Sequence, residues 1–310
     1  MLKCRPSRRD LFKALAAATT GLALHRSALA QSAASIAATK VAENFSLITG
    51  AGSNVLLFNS PDGALMVDGG LPERSAELLK FVAAQTGNKP VRVLFNTHWH
   101  YESTGSNEAL GKAGAKIIAH ENTKLWLSAD IDHHWTNRTY APLPKQARPN
   151  ETFYTDGKMK FGGQDIAYGY LLQAHTDGDI YVHFPGANIL MVGDAMSPIA
   201  YPLLDWSTGG WINGLVDAQK VLLGIANAET RIIAATGPVQ NKVDLQAQFD
   251  ALTTLKDRLL KAFRQGKMAK EWQTEGLTKE FDAQWGNPEQ FLQNAYRGLW
   301  GHVRDIGGIV

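Results

Sequence analysis

The chain has 310 residues, of which 45% are hydrophobic, and its formal net charge at pH 7 is +2. The first thirty positions hold six of the 31 basic residues and one of the 29 acidic residues, so the remainder has 25 basic and 28 acidic side chains, a net charge of −3. It has no cluster of Lys and Arg and no Gly-rich phosphate loop, which argues against nucleic acid or a nucleotide as a partner. About 280 residues of this composition can fill one large core.

Residues 1–30 have the pattern of an export signal. Arg8 and Arg9 precede an apolar stretch at 14–24, and an Ala-x-Ala pattern ends at Ala30. The arginine pair predicts a twin-arginine signal peptide that engages the twin-arginine export machinery and is cleaved after Ala30. Since the apolar stretch is too short for a hydrocarbon layer of about 30 Å, we expect a periplasmic protein with no stable membrane anchor.

The single cysteine, Cys4, lies inside this signal. Its position predicts a mature chain with no disulfide and no cysteine ligand, which leaves histidines and carboxylates as candidate metal ligands. Because twin-arginine export carries folded proteins, a metal could be loaded before transport.

After the signal, short strands and helices alternate. Strands at 55–58 and 64–67 enclose a turn at 60–63 and predict a hairpin. A helix is expected from about Pro72 to Thr86, then a buried strand at 91–95. Further along the chain the pattern predicts a helix from Thr104 to Leu110, strands at 164–172, 180–184 and 189–192, a helix at 210–225 and a strand at 231–235.

The strand at 91–95 leads into two histidines, His98 and His100. The end of a strand projects such side chains into a cleft, and the turn before Gly105 allows both rings to converge on one ion. Taken alone, the pair could equally be two surface or core histidines that bind no metal. Three further short segments change that balance: Asp68-Gly69-Gly70 after a strand, His175-Thr176-Asp177-Gly178-Asp179, and Gly193-Asp194 at the end of another strand.

In this order, the segments resemble the metal-binding signature of the metallo-β-lactamase superfamily over roughly residues 42–240. The first two histidines of the family pattern HxHxDH correspond to His98 and His100. His175 stands in an element similar to the family's HTxGD, and Asp194 at the position of its bridging carboxylate. The resemblance implies an α+β fold, an αββα sandwich of two mixed β-sheets flanked by helices, with a metal held by these four side chains.

Three positions depart from the family pattern. Glu102 replaces the aspartate, Ser103 replaces the third histidine, and Thr236 stands where the family places a histidine near the end of its core. Serine and threonine hydroxyls are poor zinc ligands beside imidazole or carboxylate. We therefore expect a degenerate second site and one bound ion.

Zinc and iron both suit the remaining ligands. His98, His100 and His175 with an open fourth position are typical of a catalytic zinc site, whereas two or three histidines with Asp194 also suit mononuclear iron. Two roles are open for Glu102: general base or orienting group for the nucleophile, or hydrogen-bond partner of a ligand ring. Asp194 is expected to be a fourth ligand or to orient water.

Two regions flank these motifs. The segment 130–150, which is polar, aromatic and rich in proline, is predicted to be a long loop; its histidines, His133 and His134, are expected to be solvated rather than ligands. Residues 31–241 are assigned to the metallo-β-lactamase-like domain, and 242–310 to a helical extension that packs on the core or in a homodimer.

The leading functional prediction is an exported hydrolase of a small molecule, in which metal-bound hydroxide attacks an ester, thioester, lactone or amide and Glu102 and Asp194 assist. Two alternatives remain open. One is a catalytically inactive binding protein of the same fold, suggested by the altered second site. The other is a mononuclear iron oxygenase of sulfur compounds, suggested by relatives with one iron.

Overall fold

A computed structural model describes residues 35–133 and 138–305. The predicted signal peptide and His134 lie outside the described residues. The strands are β1 (Ala37–Ala42), β2 (Phe45–Thr49), β3 (Val55–Ser60), β4 (Gly63–Val67), β5 (Val91–Phe95), β6 (Lys116–His120), β7 (Ile131–His133), β8 (Arg138–Tyr140), β9 (Glu151–Phe153), β10 (Asp156–Phe161), β11 (Gln164–Tyr170), β12 (Ile180–Phe184), β13 (Ile189–Gly193) and β14 (Arg231–Ala234).

The helices are α1 (Ser75–Thr86), α2 (Tyr101–Thr104), α3 (Asn107–Lys112), α4 (Glu121–Trp126), α5 (Ile212–Ile225), α6 (Lys242–Arg264), α7 (Ala269–Thr274), α8 (Asp282–Trp285) and α9 (Glu289–Asp305), with 3₁₀ turns at Pro72–Arg74, Lys145–Ala147 and Trp206–Thr208. No helix in the described ranges is long and apolar enough to cross a membrane.

Two mixed sheets form the centre of the fold. The first has the order β1-β2-β3-β4-β5-β6-β9, and the second β10-β11-β12-β13-β14. The pairs β4–β5, β5–β6 and β6–β9 are parallel in the first sheet, as is β13–β14 in the second. The carboxyl ends of parallel strands meet at one edge of a sheet, so residues that follow β4 and β5 are brought together there.

The strands alternate between two apolar environments. In β3, Leu56 and Phe58 pack between the two sheets, whereas Val55 and Leu57 face the other way, toward α1 and α3. This alternation follows from the two-residue period of a strand. The second sheet also has a buried outer face, which packs against α5 and the C-terminal helices. These layers confirm the predicted αββα sandwich.

The predicted C-terminal helical region is also present. Leu252 and Leu259 of α6, Trp272 of α7 and Leu299 of α9 share one buried cluster with the outer face of the second sheet. Asn241 caps α6 by accepting hydrogen bonds from the first-turn amides. The domain boundary at 241 and the homodimer stay predictions.

Two local predictions were wrong. The helix expected to begin at Thr104 is two short helices, α2 and α3; Thr104 ends α2, and its hydroxyl donates to the His100 carbonyl at 3.1 Å. The segment 130–150 is not one loop, because β7 and β8 form an antiparallel hairpin within it. Both errors arose because polar residues and prolines hid short elements that tertiary contacts stabilise.

Candidate metal centre

The candidate site lies where strands of both sheets end. His98 and His100 follow β5, Asp194 follows β13, and His175 comes from the loop between β11 and β12. Gly193 has φ +55°, and a Cβ there would lie 2.7 Å from the Thr97 hydroxyl. A glycine is required at this point because the two strand ends approach so closely.

Four side chains come together at this edge. His98, His100, His175 and Asp194 each offer a ligand atom, and these atoms all lie within 4.8 Å of one another. The distance from His100 Nδ1 to His175 Nε2 is 3.2 Å, and Asp194 Oδ2 lies 3.4 Å from His98 Nε2 and 3.8 Å from His175 Nε2. The sequence motifs thus converge in space.

Partners outside the cluster orient two of the rings without ambiguity. His100 Nε2 lies 3.0 Å from Asp205 Oδ2, and His175 Nδ1 lies 2.7 Å from the Leu203 carbonyl. An ionised carboxylate and a carbonyl can only accept, so these two nitrogens carry the protons. His175 Nε2 therefore presents a lone pair to the centre of the cluster, and His100 Nδ1 does so whenever the His100 ring is neutral, as in a metal-binding histidine.

The third ring is held through a hydroxyl. His98 Nδ1 lies 3.0 Å from Thr97 Oγ1, and the Thr97 hydroxyl donates to the buried Asp68 carboxylate at 2.8 Å. Burial raises the pKa of Asp68 to about 8 against its hydrogen bonds from Thr97, and in either protonation state of Asp68 the His98 Nε2 atom faces inward, 3.4 Å from Asp194 Oδ2. Asp68 has a left-handed φ of 64°, a strained conformation of the kind found at functional sites.

The carboxylates around the cluster favour one positive charge among its histidines. Burial lowers the pKa of His98 and of His175, and the neighbouring His100 lowers both further. Burial also acts to lower the pKa of His100, but hydrogen bonds to Asp205 and Glu102 outweigh it and raise the pKa to about 10. Without a metal, a proton on His100 is thus the cation of the cluster. His98 Nε2 is buried without a hydrogen-bond partner, so the residues present fit a metal ion.

The cluster is open on its acidic side. The His98 and His175 side chains are fully buried, whereas those of Asp194 and Glu102 are 21% and 30% exposed. Glu102 Oε1 lies 3.5 Å from His100 Nδ1. Burial raises the pKa of Glu102, but the hydrogen bond to His100 more than compensates and the pKa is lowered. Solvent therefore reaches the cluster past two carboxyl groups.

The altered second-site positions lie next to this opening or are buried. The Ser103 hydroxyl and the second carboxylate oxygen of Glu102 are buried without a hydrogen-bond partner. Thr236 is half-buried after β14. The Glu102 carbonyl accepts a 2.7 Å hydrogen bond from Ser53, which anchors the start of α2.

Two supporting residues were not among the predicted site residues. Asp205 and Thr97 are fully buried polar groups that orient ligand rings. Asp205 follows His100 by 105 positions, and no local pattern links the two. The predictions for His133 and His134 stay untested, because no side chain is described at either position.

A sequence model described as the metallo-beta-lactamase superfamily matches residues 48–260. The chain belongs to the metallo-β-lactamase superfamily. Solved structures of this superfamily's fold are similar to it. A metallo-beta-lactamase from Pontibacter korlensis is 22% identical with a TM-score of 0.58, and the match covers 71% of this chain and 99% of that one.

Two other structures extend the comparison. The stereoselective inverting sec-alkylsulfatase Pisa1 from Pseudomonas sp. has a TM-score of 0.65 at 15% identity; the match covers 84% of this chain and 50% of the sulfatase. The BLEG-1 B3 metallo-beta-lactamase has a TM-score of 0.55 at 16% identity, over 65% and 94% of the two chains. At these identities the likeness establishes the fold alone.

In this superfamily member, the contact between Asp205 and His100 yields a test of the site. We expect Asp205→Asn to weaken zinc binding by about 10- to 100-fold, because the neutral amide accepts a weaker hydrogen bond and holds the His100 ring less firmly. In the metal-free protein, loss of the ion pair should lower the free energy of unfolding by about 3 kcal/mol. Metal titration and urea unfolding measure the two effects.

The pH dependence of that loss follows from the two pKa shifts. The His100 pKa is raised to about 10. Its contribution to the free energy of unfolding is therefore full below pH 6.5, the ordinary histidine pKa, and disappears as the pH rises through 10. The Asp205 pKa is lowered to about 2, against burial, by its hydrogen bond to His100, so its contribution disappears as pH falls from 3.8 through 2. The free energies of unfolding of the wild type and Asp205→Asn should therefore differ most between pH 4 and 6.5.

Asp165→Asn, which breaks an exposed ion pair with Lys160, is the control, and its free energy of unfolding should change little. Equal zinc affinity in Asp205→Asn and wild type would contradict the assignment.

Proposed function

We propose that this protein is an exported hydrolase that uses one metal ion to cleave a carboxylic ester, thioester, lactone or amide. One observation carries the proposal: three buried histidines, each oriented by a partner on its outer nitrogen, direct their other nitrogens to a common point beside Asp194. Export through the twin-arginine signal at 1–30 is part of the same proposal.

The ligand set supports zinc. His98, His100 and His175 would hold the ion, with Asp194 as the fourth ligand or as a group that orients water. The chemistry that a bound divalent ion supplies is to lower the pKa of water to about 7 and to polarise a carbonyl. The rest of the reaction depends on the side chains of the chain itself.

Glu102 is the group we assign to proton transfer. Its carboxylate is partly exposed, and its lowered pKa keeps it ionised at neutral pH, so it can accept a proton at Oε1 or Oε2. Returning that proton to the departing alkoxide, thiolate or amine would complete the hydrolysis. The hydrogen bond from Ser53 to the Glu102 carbonyl supports the position of the backbone from which this side chain extends.

We also propose that the second metal site of the family is lost. Ser103 and Thr236 offer neutral hydroxyls where the family supplies imidazoles, and hydroxyls bind zinc weakly beside such ligands. A hydrolase with one ion and a carboxylate base fits these substitutions, and a stoichiometry near one metal per chain is the expected result.

The decisive experiment measures metal content and turnover on the same preparation. Mature protein is purified without added metal or chelator, and metal per chain is determined by plasma mass spectrometry. Hydrolysis is followed over esters, thioesters, lactones and amides before chelation, after chelation and after addition of zinc. Since two similar structures are those of a metallo-beta-lactamase and a sec-alkylsulfatase, the panel also includes a β-lactam and a secondary alkyl sulfate.

We expect about one zinc per chain, loss of at least about a hundredfold in rate on chelation, and recovery with zinc. Ligand binding that survives chelation, with no turnover over the whole panel, would overturn the proposal in favour of an inactive binding protein. About one iron per chain with oxygen consumption on a sulfur compound would overturn it in favour of the oxygenase.

A further inference from the structure

A separate pocket lies beside the histidine cluster. We call it the aromatic pocket; its volume is about 260 Å³, and its main walls are Trp99, Tyr101, Trp126, Ile131, Arg138 and Tyr140. The β7–β8 hairpin supplies three of these residues. The pocket belongs to a small hydrophobic cluster that is distinct from the three main cores.

Hydrogen bonds and ring contacts hold the walls in place. Trp126 Nε1 donates to Asp177 Oδ1 at 2.6 Å, and Trp99 Nε1 donates to Thr208 Oγ1 at 3.0 Å. Tyr101 stacks on Tyr140 with 5.4 Å between the ring centroids. An apolar cavity of about 150 Å³ already accepts benzene, so the aromatic pocket can take an aryl group without rearrangement. Rings favour stacked or edge-on partners, and these walls offer both.

One cation lies at this pocket. The Arg138 guanidinium is 5.5 Å from the centroid of the Tyr101 ring and 5.9 Å from that of Tyr140. Among the described residues, no carboxylate forms a salt bridge with Arg138. A guanidinium that stacks on a ring still has an edge of N–H donors that matches a carboxylate. Glu73 also lines the pocket and adds a negative charge there.

The aromatic pocket adjoins the candidate metal centre through its walls. Trp99 and Tyr101 are the chain neighbours of His100, and the Trp99 and His100 rings lie 4.4 Å apart. The Thr208 hydroxyl accepts the hydrogen bond from Trp99, and the Thr208 backbone amide donates one to Asp205. Asp205 in turn orients His100. The four clustered side chains do not line the aromatic pocket themselves, so a ligand bound there would have to extend beyond Trp99 or Tyr101 to reach them.

We propose that the aromatic pocket binds the aryl group of an aromatic carboxylate, with the carboxylate at Arg138. We further propose that substrates of the hydrolase carry such a group; this second step rests on the proposed function. The rings provide the apolar walls, and the guanidinium selects a carboxylate that is separate from the bond to be hydrolysed.

Binding is tested on the mature protein after chelation, so that the result does not depend on the metal. Calorimetry compares 2-naphthylacetate with the uncharged 2-naphthaleneethanol and with cyclohexylacetate, which has no aromatic ring. We expect saturable binding of one 2-naphthylacetate per chain, tighter than either analogue. Arg138→Gln should weaken it about tenfold without changing the affinity for the alcohol. Glu73→Gln should tighten it severalfold, and Arg231→Gln, at the start of β14, is the matched control and should have no effect.

Two results would overturn the pocket proposal: no saturable binding of 2-naphthylacetate, or equal affinity in Arg138→Gln and wild type. Arg138 is exposed, so this variant should fold, and its unfolding temperature verifies that.

The substrate step is tested on zinc-loaded protein with 4-acetoxyphenylacetate and phenyl acetate. Arg138→Gln should raise KM about tenfold for the charged ester alone and leave kcat unchanged. Aryl carboxylate binding without turnover of any ester, thioester, lactone or amide would leave the pocket proposal standing and overturn the proposed function. Turnover with no Arg138 dependence would overturn the substrate assignment and leave the hydrolase proposal intact.

Discussion

Alanine at His98 or at His175 is expected to abolish stoichiometric zinc binding and to lower hydrolysis roughly a thousandfold, since the metal provides several kcal/mol of transition-state stabilisation. Both rings are fully buried. Each supplies one of the four ligand atoms of the cluster, and no other member of the cluster can take the place of a lost ring nitrogen. Removal of one imidazole leaves two histidines and Asp194, and we expect this smaller ligand set to lose zinc during purification. Plasma mass spectrometry and initial rates measure the two losses.

Two further variants sharpen this test. His183→Ala, on β12 and outside the cluster, is the control and should retain both zinc and activity. Glu102→Gln should retain zinc but lose turnover, because the amide cannot accept a proton. Unchanged metal content and unchanged hydrolysis in His98→Ala or His175→Ala would remove the metal site from the mechanism.

Gly105→Ala is expected to destabilise the protein by about 3 kcal/mol or more, or to prevent folding. A Cβ at position 105 would overlap the backbone nitrogen of Pro72 and the carbonyl oxygen of Gly70. Backbone atoms cannot move aside as a flexible side chain can. Gly105 directly follows α2, which carries Glu102 and Ser103, so the clash would also displace the acidic side of the site. Urea unfolding measures the change in the free energy of unfolding.

Gly224→Ala is the matched control. Gly224 lies within α5, and a Cβ there would meet no neighbouring atom within 4 Å, so alanine should stabilise the helix by about 0.5–1 kcal/mol. The two substitutions add the same methyl group and should have opposite signs. A Gly105→Ala variant with the unfolding midpoint of the wild type would show that α2 can shift away from the turn at Pro72.

The sandwich and the clustering of four candidate ligands could be predicted because strand alternation and motifs that resemble the superfamily signature are both local signals. Strand alternation, as in Val55 and Leu56, reports a two-residue geometry that any strand imposes, and the short motifs at His98 and Asp194 each occupy a strand end. These two strand ends belong to different sheets, so their convergence was implied by the resemblance to the superfamily and not by the strand pattern. The αββα fold therefore follows from patterns spread along the chain.

Other features were decided only by tertiary contacts. Asp205 orients His100 across 105 positions, and the Trp99 indole bonds to Thr208 across 109. The hairpin that carries Arg138 has strands of three residues, too short for a periodic pattern.

The sequence by itself thus predicted the architecture, through its alternating strands and helices and its resemblance to the superfamily, and that resemblance named the residues that could bind a metal. The tertiary structure decided which nitrogen of each ring faces the centre, the charge of the cluster and the aromatic pocket beside it. Those properties depend on hydrogen bonds and burial between segments that are distant in the chain, and no local pattern encodes them.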